Sequence, residues 1–244
     1  MMMLPRSFNF QERTICGRIY VPSQADIERY WHLGSRNSNP FPRRYNVSAS
    51  QGNPTLYVPV IRARDDRNPE LAMVQWWLLP WFSDSPRCKY TSFNARMESV
   101  AKAPAFRDPF KHRRCLVPVL GYYEWQSSPK GKLPWLIRSA KGELMHLAGL
   151  WDRWRKEDQT IESMTIIVGP ANEAVKAIHD RQPIVIPPEK HGAWLDRKLN
   201  DPRQVMELLQ PVPVDAVKFH RVGMGVNNSK NEGEQLVEEV SLEV

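Results

Sequence analysis

Between Thr55 and Arg221 the chain is a succession of short runs rich in Val, Ile, Leu and aromatic residues, each broken by Pro, Gly, Asp or Ser. The runs cover 55–61, 71–79, 115–125, 134–137, 144–151, 163–168, 183–186 and 216–221, and such patterning predicts strands. Helices fit between them at 97–102, 105–112, 171–178, 188–195 and 202–209, with Pro188 and Pro202 where a first helical turn tolerates proline. Another helix starts at Ser23, where Ser23-Gln24-Ala25-Asp26 forms a capping box with Asp in the usual Glu place. Residues 34–44 read as a loop. Strands and helices do not alternate at crossover length, which excludes a doubly wound parallel sheet. No repeat or low-complexity linker divides the chain. The expected architecture is α+β: a single domain with a mostly antiparallel, barrel-like β-sheet core decorated by short helices.

Charge and thiols narrow the partners. The 244 residues carry 34 basic and 27 acidic side chains, a formal net charge of +7, so a polyanion is the first partner to consider. Six of the nine tryptophans (Trp76, Trp77, Trp81, Trp125, Trp151 and Trp154) include several beside basic residues. Rings beside cations suit single-stranded nucleic acid, whose bases stack while its phosphates meet Lys and Arg; core packing is the competing use. No apolar run approaches the roughly 20 residues of a membrane-spanning helix. Residues 1–15 lack the apolar stretch of a secretory signal. Cys16, Cys88 and Cys115 are odd in number and far apart, which suits free thiols in a reducing cytoplasm. A cytoplasmic monomer is expected, nucleoid-associated in a bacterium.

Phosphate loops, dinucleotide glycine fingerprints and zinc spacings are absent from the sequence, so neither metal nor cofactor is expected. What remains is a set of short, chemically unusual segments. In Cys16-Gly17-Arg18 the backbone is open to close approach and the guanidinium would favour a thiolate; the alternative is a small buried residue opening a strand. In Asn94-Ala95-Arg96-Met97-Glu98 the Asn–Arg pair can grip a phosphate or orient a substrate oxygen, or Asn94 is a helix cap. In Gly121-Tyr122-Tyr123-Glu124-Trp125 a carboxyl hemmed in by rings would lose water and rise in pKa toward a usable acid–base. His179, within Ile178-His179-Asp180-Arg181-Gln182-Pro183, titrates near neutrality and is open to tuning by Asp180 or Arg181. Residues 226–233, VNNSKNEG, read as a polar turn.

Taken together and in this order, these segments resemble the SRAP family, the SOS-response-associated peptidases also described as abasic-site processing proteins. The markers are CGR at 16–18, RYNV at 44–47, WWLLPWF at 76–82, NARMES at 94–99, RCLVPVLGYYEW at 114–125, IHDRQP at 178–183 and the VNNSKNEG turn. The resemblance implies an N-terminal extension over 1–15 and one domain over 16–240. It implies a partner, single-stranded DNA bearing abasic sites, and a covalent trap. The α-amine of an N-terminal Cys16 forms a Schiff base with the sugar aldehyde, and the thiol closes a thiazolidine. Glu124 is then the acid–base group, His179 stabilises the opened sugar or shuttles protons, and Asn94 orients cysteine and substrate. Arg18, Arg96 and Arg181 are the implied phosphate ligands, and Trp76, Leu79 and Pro80 lie where the family splays the strand. Cys16 and Glu124 are also implicated in the self-cleavage behind the word peptidase.

The sequence departs from that pattern in places. Residues 1–15 precede the cysteine, and an internal cysteine has no amine, so the thiazolidine requires their removal or a later start among the initial methionines. Trp77 stands for a glycine, Phe82 for a second tryptophan, Ala49 for a proline and Val119-Leu120 for Ala-Asp. Two other readings stay open: a noncovalent single-stranded DNA-binding module with a blocked cysteine, and a general cysteine peptidase using Cys16 and His179.

Overall fold

The computed structural model describes residues 16–34, 39–49, 57–63, 68–88 and 90–241. The extension over 1–15 and the start of the strand expected at 55–61 lie outside them. Two sheets form the body. The first contains β1 (Arg18–Val21), β2 (Arg44–Ser48), β7 (Gly121–Ser128), β8 (Gly131–Ser139) and β12 (Val217–Arg221), in the order β12-β8-β7-β1-β2. The second contains β3 (Tyr57–Ala63), β4 (Pro69–Trp76), β6 (Arg114–Val119), β9 (Met145–Lys156), β10 (Gln159–Pro170) and β11 (Arg181–Pro183), ordered β11-β10-β4-β3-β6-β9, with β5 (Asn94–Arg96) added beside β10.

Pairing is mostly antiparallel, as expected; β10 alone runs parallel to its neighbours β4 and β5 among the described strands. Because β9 also pairs β10, the path from β10 through β4, β3, β6 and β9 returns on itself. The β4–β10 seam is short, Ser163↔Gln75 and Met164↔Trp76, so the sheet is barrel-like rather than a closed barrel.

The single strand expected over 115–125 is two strands in different sheets. Leu120 marks the crossing, its N–H donating to Tyr20 O at 2.8 Å. A continuous apolar run gives no sign of such a corner, since both halves are buried. Gly121 then allows β7 to close on β8, because a Cβ there would lie 2.8 Å from Ile137 O. The helices expected at 97–102 and 171–178 are successions of turns. Helices form at α1 (Gln24–Trp31), α2 (Arg107–His112), α3 (His191–Leu195) and α4 (Pro202–Glu207). Ser23 caps α1 as anticipated, its hydroxyl accepting from Asp26 N–H at 3.2 Å.

Apolar residues fall into three layers. Ile19, Val47, Tyr122 and Ile137 of the first sheet meet Val60, Val74, Trp76, Val117 and Met164 of the second. The far face of the second sheet, with Ile61, Leu116, Leu150 and Ile167, takes Ile27, Phe110, Trp194 and Val205 from the four helices. The far face of the first, with Tyr20, Tyr123 and Leu136, is covered by Val222 and Val226 from the chain after β12. No described helix is long and apolar enough to cross a membrane.

Beside α1, His146 and His191 lie buried with ring centroids 4.5 Å apart, packed against Tyr30 and Trp31. Trp31 Nε1–H donates to His146 Nε2 at 3.0 Å, which fixes that nitrogen as an acceptor. Burial, then the neighbouring His191, lowers the His146 pKa to about 3. The neutral ring is therefore the native form. Its contribution is complete above the unfolded value and is lost as pH falls below it toward about 3. Urea midpoints at pH 7 and 5 should show the wild-type losing roughly 2 kcal/mol more than His146→Gln, which accepts from Trp31 without titrating. Equal losses would mean that the ring is not the titrating group.

Candidate active site and nucleic-acid interface

Cys16 precedes β1 and is fully buried, with φ +36°, a left-handed conformation that non-glycine residues seldom adopt. Antiparallel pairing of β1 with β7, Ile19 opposite Tyr122, carries the start of the chain to Glu124. The Cys16 N–H donates to Glu124 Oε1 at 2.7 Å. From the other sheet, β5 pairs with β10 through Asn94 and Ile166, and Asn94 Nδ2–H donates to Cys16 O at 3.5 Å. Both peptide-group atoms of Cys16 are thus held by side chains far away in sequence.

Glu124 is 1% exposed and sits on an interior strand, not the solvated edge its charge would ordinarily prefer. Burial raises its pKa to about 8, against the pull of N–H donors from Cys16 and Trp125. Asp180 pushes the value further up and Lys132 draws it down. The dewatered carboxyl expected from the sequence is present, with a pKa near neutrality; Tyr122 is the ring on its face, while Tyr123 and Trp125 pack on the opposite face of β7.

The Cys16 thiol does not behave as the CGR segment suggests. Burial, then the charge of Glu124, pushes it well above its ordinary value. Arg18 turns away: its Nη1–H donates to Asn46 Oδ1 at 2.7 Å and Val226 O at 2.6 Å, and its guanidinium lies 5.5 Å from the Trp125 ring centre. Strand alternation would put residues 16 and 18 on one face, but the left-handed Cys16 lies before β1 and breaks that alternation, so adjacency in sequence could not reveal that the guanidinium is spent on another segment.

His179 and the other arginines gather at the adjoining end of β10. β11 pairs Arg181 with Pro170, and β5 pairs Arg96 with Val168. Arg181 Nη1 bonds Glu98, tying β11 to the turn after β5. His179 Nδ1 accepts the Arg181 N–H at 3.1 Å and lies 3.1 Å from Asp180 Oδ1. The electrostatic effect of Asp180 on Glu124 brings this turn within range of the carboxyl. Gln126 Nε2–H reinforces the junction by donating to Ala177 O at 3.0 Å. Arg96 is exposed; Arg181 is partly covered.

Trp76, Leu79 and Pro80 are a different matter. All three are buried, and Trp76 Nε1–H is spent on Phe93 O at 2.9 Å. Trp76 belongs to the core between the sheets and Leu79 to a separate cluster with Cys88 and Trp154, so neither ring nor side chain is presented to a strand. The exposed rings of this segment are Trp81, at 60%, and Phe82, at 45%. A run of apolar residues does not say where it leaves the core, so the sequence could not separate the buried side chains of this segment from its exposed ones.

Two further participants carry no chemical signature in the sequence. Asn46, 1% exposed within RYNV, accepts from Arg18 and donates through Nδ2 to the carbonyls of Val226, Asn228 and Asn231. It anchors the polar turn beside β1, where Asn227 Oδ1 also accepts the Trp125 Nε1–H at 2.7 Å. Tyr122 is buried in contact range of both Cys16 and Glu124, whose charges with burial push its hydroxyl well up. Among the described residues, no group of three or more His, Cys, Asp or Glu could hold a metal ion.

Comparison with known proteins agrees with the arrangement. The profile of the family described as SOS response associated peptidase (SRAP) matches residues 15–229. The chain is 32% identical over 228 residues to the abasic site processing protein YoqW of Bacillus subtilis (strain 168), covering 92% of this chain and 99% of that one. It is 28% identical over 199 residues to the abasic site processing protein YedK of Escherichia coli (strain K12), covering 81% and 85%. A crystal structure of a Bacteroides thetaiotaomicron protein superposes with a TM-score of 0.79 at 23% identity, covering 93% of this chain and all of that one, and shows the same fold.

Proposed function

Because this chain belongs to the SOS response associated peptidase family, we propose that it processes abasic sites in DNA, and that it does so by trapping the lesion covalently in single-stranded DNA through Cys16. The observation that carries the reading is the 2.7 Å contact between the Cys16 nitrogen and a carboxyl whose pKa is near 8. The reaction repeatedly gives protons to that nitrogen and takes them from it, and Glu124 holds a proton at neutral pH.

The amine must first be released. Hydrolysis of the bond between residues 15 and 16 consumes water, and the departing nitrogen takes a proton from Glu124. The liberated α-amine, with an ordinary pKa of about 7.7–8.0, is partly neutral at cellular pH. It adds to the aldehyde carbon of the ring-opened sugar, and loss of water leaves a C=N bond. The thiol sulfur then adds to that carbon while its proton passes to nitrogen, closing a five-membered ring. Asn94 holds the carbonyl of Cys16 through these steps, and His179 and Arg181 lie toward the sugar and phosphate. Arg96 and Arg181 supply charge for the strand, whose noncovalent affinity falls steeply with salt.

The full burial of Cys16 favours a second reading for the chain before cleavage: a noncovalent binder with its nucleophile blocked. A general peptidase gains no support, since the thiol is pushed up and His179 Nδ1 is engaged by Arg181 and Asp180.

One denaturing gel decides. Wild-type chain mixed with single-stranded DNA bearing an abasic site should give a slow band that survives denaturation and disappears in Cys16→Ala. Intact mass of the wild-type should correspond to loss of residues 1–15. A chain that keeps them and yields no band would leave the noncovalent reading.

A further inference from the structure

We propose that a second cleft, lined by none of the residues around Cys16, holds one unpaired nucleotide of the same DNA strand, its base on the indole of Trp81 and its phosphate at Arg153 and Arg197. The proposal takes the nucleic-acid partner from the function proposed above and adds a site to it. The cleft measures about 400 Å³ and is lined by Trp81, Trp151, Arg113, Arg153, Arg197 and Asp152, with Asp108 at its edge. Two indoles and three guanidiniums around one hollow are the combination that stacks a base and holds its phosphate.

The site is built rather than incidental. Asp152 is 2% exposed and organises it from below: Oδ2 accepts the Trp81 N–H at 3.0 Å, Oδ1 accepts the Arg153 N–H at 2.8 Å, and Oδ1 lies 3.1 Å from Arg113 Nε. Asp108 also pairs with Arg113. Both lining carboxylates pair with Arg113, and Arg153 and Arg197 are exposed. Arg153 also bonds Glu162, and a guanidinium carries enough donors to serve a carboxylate and a phosphate together. Trp81 is 60% exposed; Asp152 anchors its backbone amide, and Phe82 packs edge-on against its ring at 5.7 Å. So large an exposed ring has no role in the interior.

The cleft belongs to a different part of the second sheet from Arg96 and Arg181. Trp151 pairs with Met164, whereas Arg181 pairs with Pro170 at the other end of β10. That stretch of strand is about 20 Å long at about 3.3 Å per residue. A nucleic-acid strand of at most about six nucleotides, counted at the roughly 3.4 Å rise of stacked duplex DNA, spans it. Binding should therefore depend on oligonucleotide length.

The test compares wild-type, Trp81→Ala and Arg197→Glu by fluorescence anisotropy with lesion-free oligo(dT) of about 4 and about 20 nucleotides. Both positions are exposed, so neither substitution threatens the core. Each should weaken the long probe about tenfold and leave the short probe unchanged, with crosslinking of a short abasic oligonucleotide as in wild-type. The indole N–H resonances missing from Trp81→Ala should be among those that shift when the long probe is added to wild-type. If both variants bind the long probe like wild-type, the cleft is not a nucleotide site, whatever the crosslink shows. If the variants weaken long-probe binding but wild-type forms no crosslink, the cleft stands and the covalent function falls. If wild-type binds no oligo(dT) of either length, the cleft proposal falls.

Discussion

Glu124→Gln slows covalent adduct formation by about 10²–10⁴-fold, the usual worth of a positioned acid–base group, and leaves noncovalent DNA binding as it was. Glutamine has nearly the same shape and keeps an oxygen for the Cys16 N–H, so what is lost is the proton. The wild-type rate should carry a limb near pH 8, where the carboxyl titrates, and the variant should lack it. Stability gives an independent readout with a definite sign. The native pKa of Glu124 is raised from 4.5, so its contribution is complete below 4.5 and is lost as pH rises through about 8. Thermal midpoints of the variant should therefore decline less than those of the wild-type between about pH 5 and pH 9. A variant with wild-type rate and an unchanged pH profile would remove Glu124 from the chemistry.

Arg114→Met costs about 3–5 kcal/mol of stability, enough to unfold a chain of ordinary marginal stability. Arg114 is 4% exposed and donates to the carbonyl oxygens of Phe110, Lys111, Trp194, Asp196 and Leu199, at 2.5 to 2.9 Å. It is a hub that ends α2 and fastens α3 and the loop after it to β6. Without it, five buried or half-buried carbonyls lose a charged donor together, and each unsatisfied group costs about 1–3 kcal/mol before relaxation. Arg114→Lys should recover little, because an ammonium cannot reproduce the planar fork. The urea midpoint measures the loss, and adduct yield per folded molecule should stay at the wild-type level. An unchanged midpoint would mean that the carbonyls find other donors at no cost.

These two residues bracket what could be read beforehand. Both lie in the segment 114–125, which looks like one strand and one motif. Its far end holds the buried Glu124, which stood out in the sequence because a carboxylate flanked by three aromatic residues has few structural reasons to be there. Its near end is scaffold, and nothing in the letters separates a scaffold arginine from a phosphate ligand. The same ambiguity turned Arg18 from thiolate partner into an anchor for a distant turn. Strand content and mostly antiparallel pairing followed from residue type and punctuation. The corner at Leu120 and the turns at 97–102 and 171–178 did not, because they depend on tertiary hydrogen bonds. The short strands β1, β2 and β5 were missed for a related reason. Each has few residues to show a period, yet together they supply Cys16, Asn46 and Asn94.

Cys16 meets Glu124 across a sequence separation of 108 residues, and the bonds of Asn46 to Val226, Asn228 and Asn231 span 180 to 185. During synthesis Cys16 leaves the ribosome long before Glu124, and longer still before the turn that steadies Arg18 beside it. A nascent polypeptide therefore carries an unassembled centre through most of translation. Any maturation that needs Glu124 waits until the growing chain has folded that far.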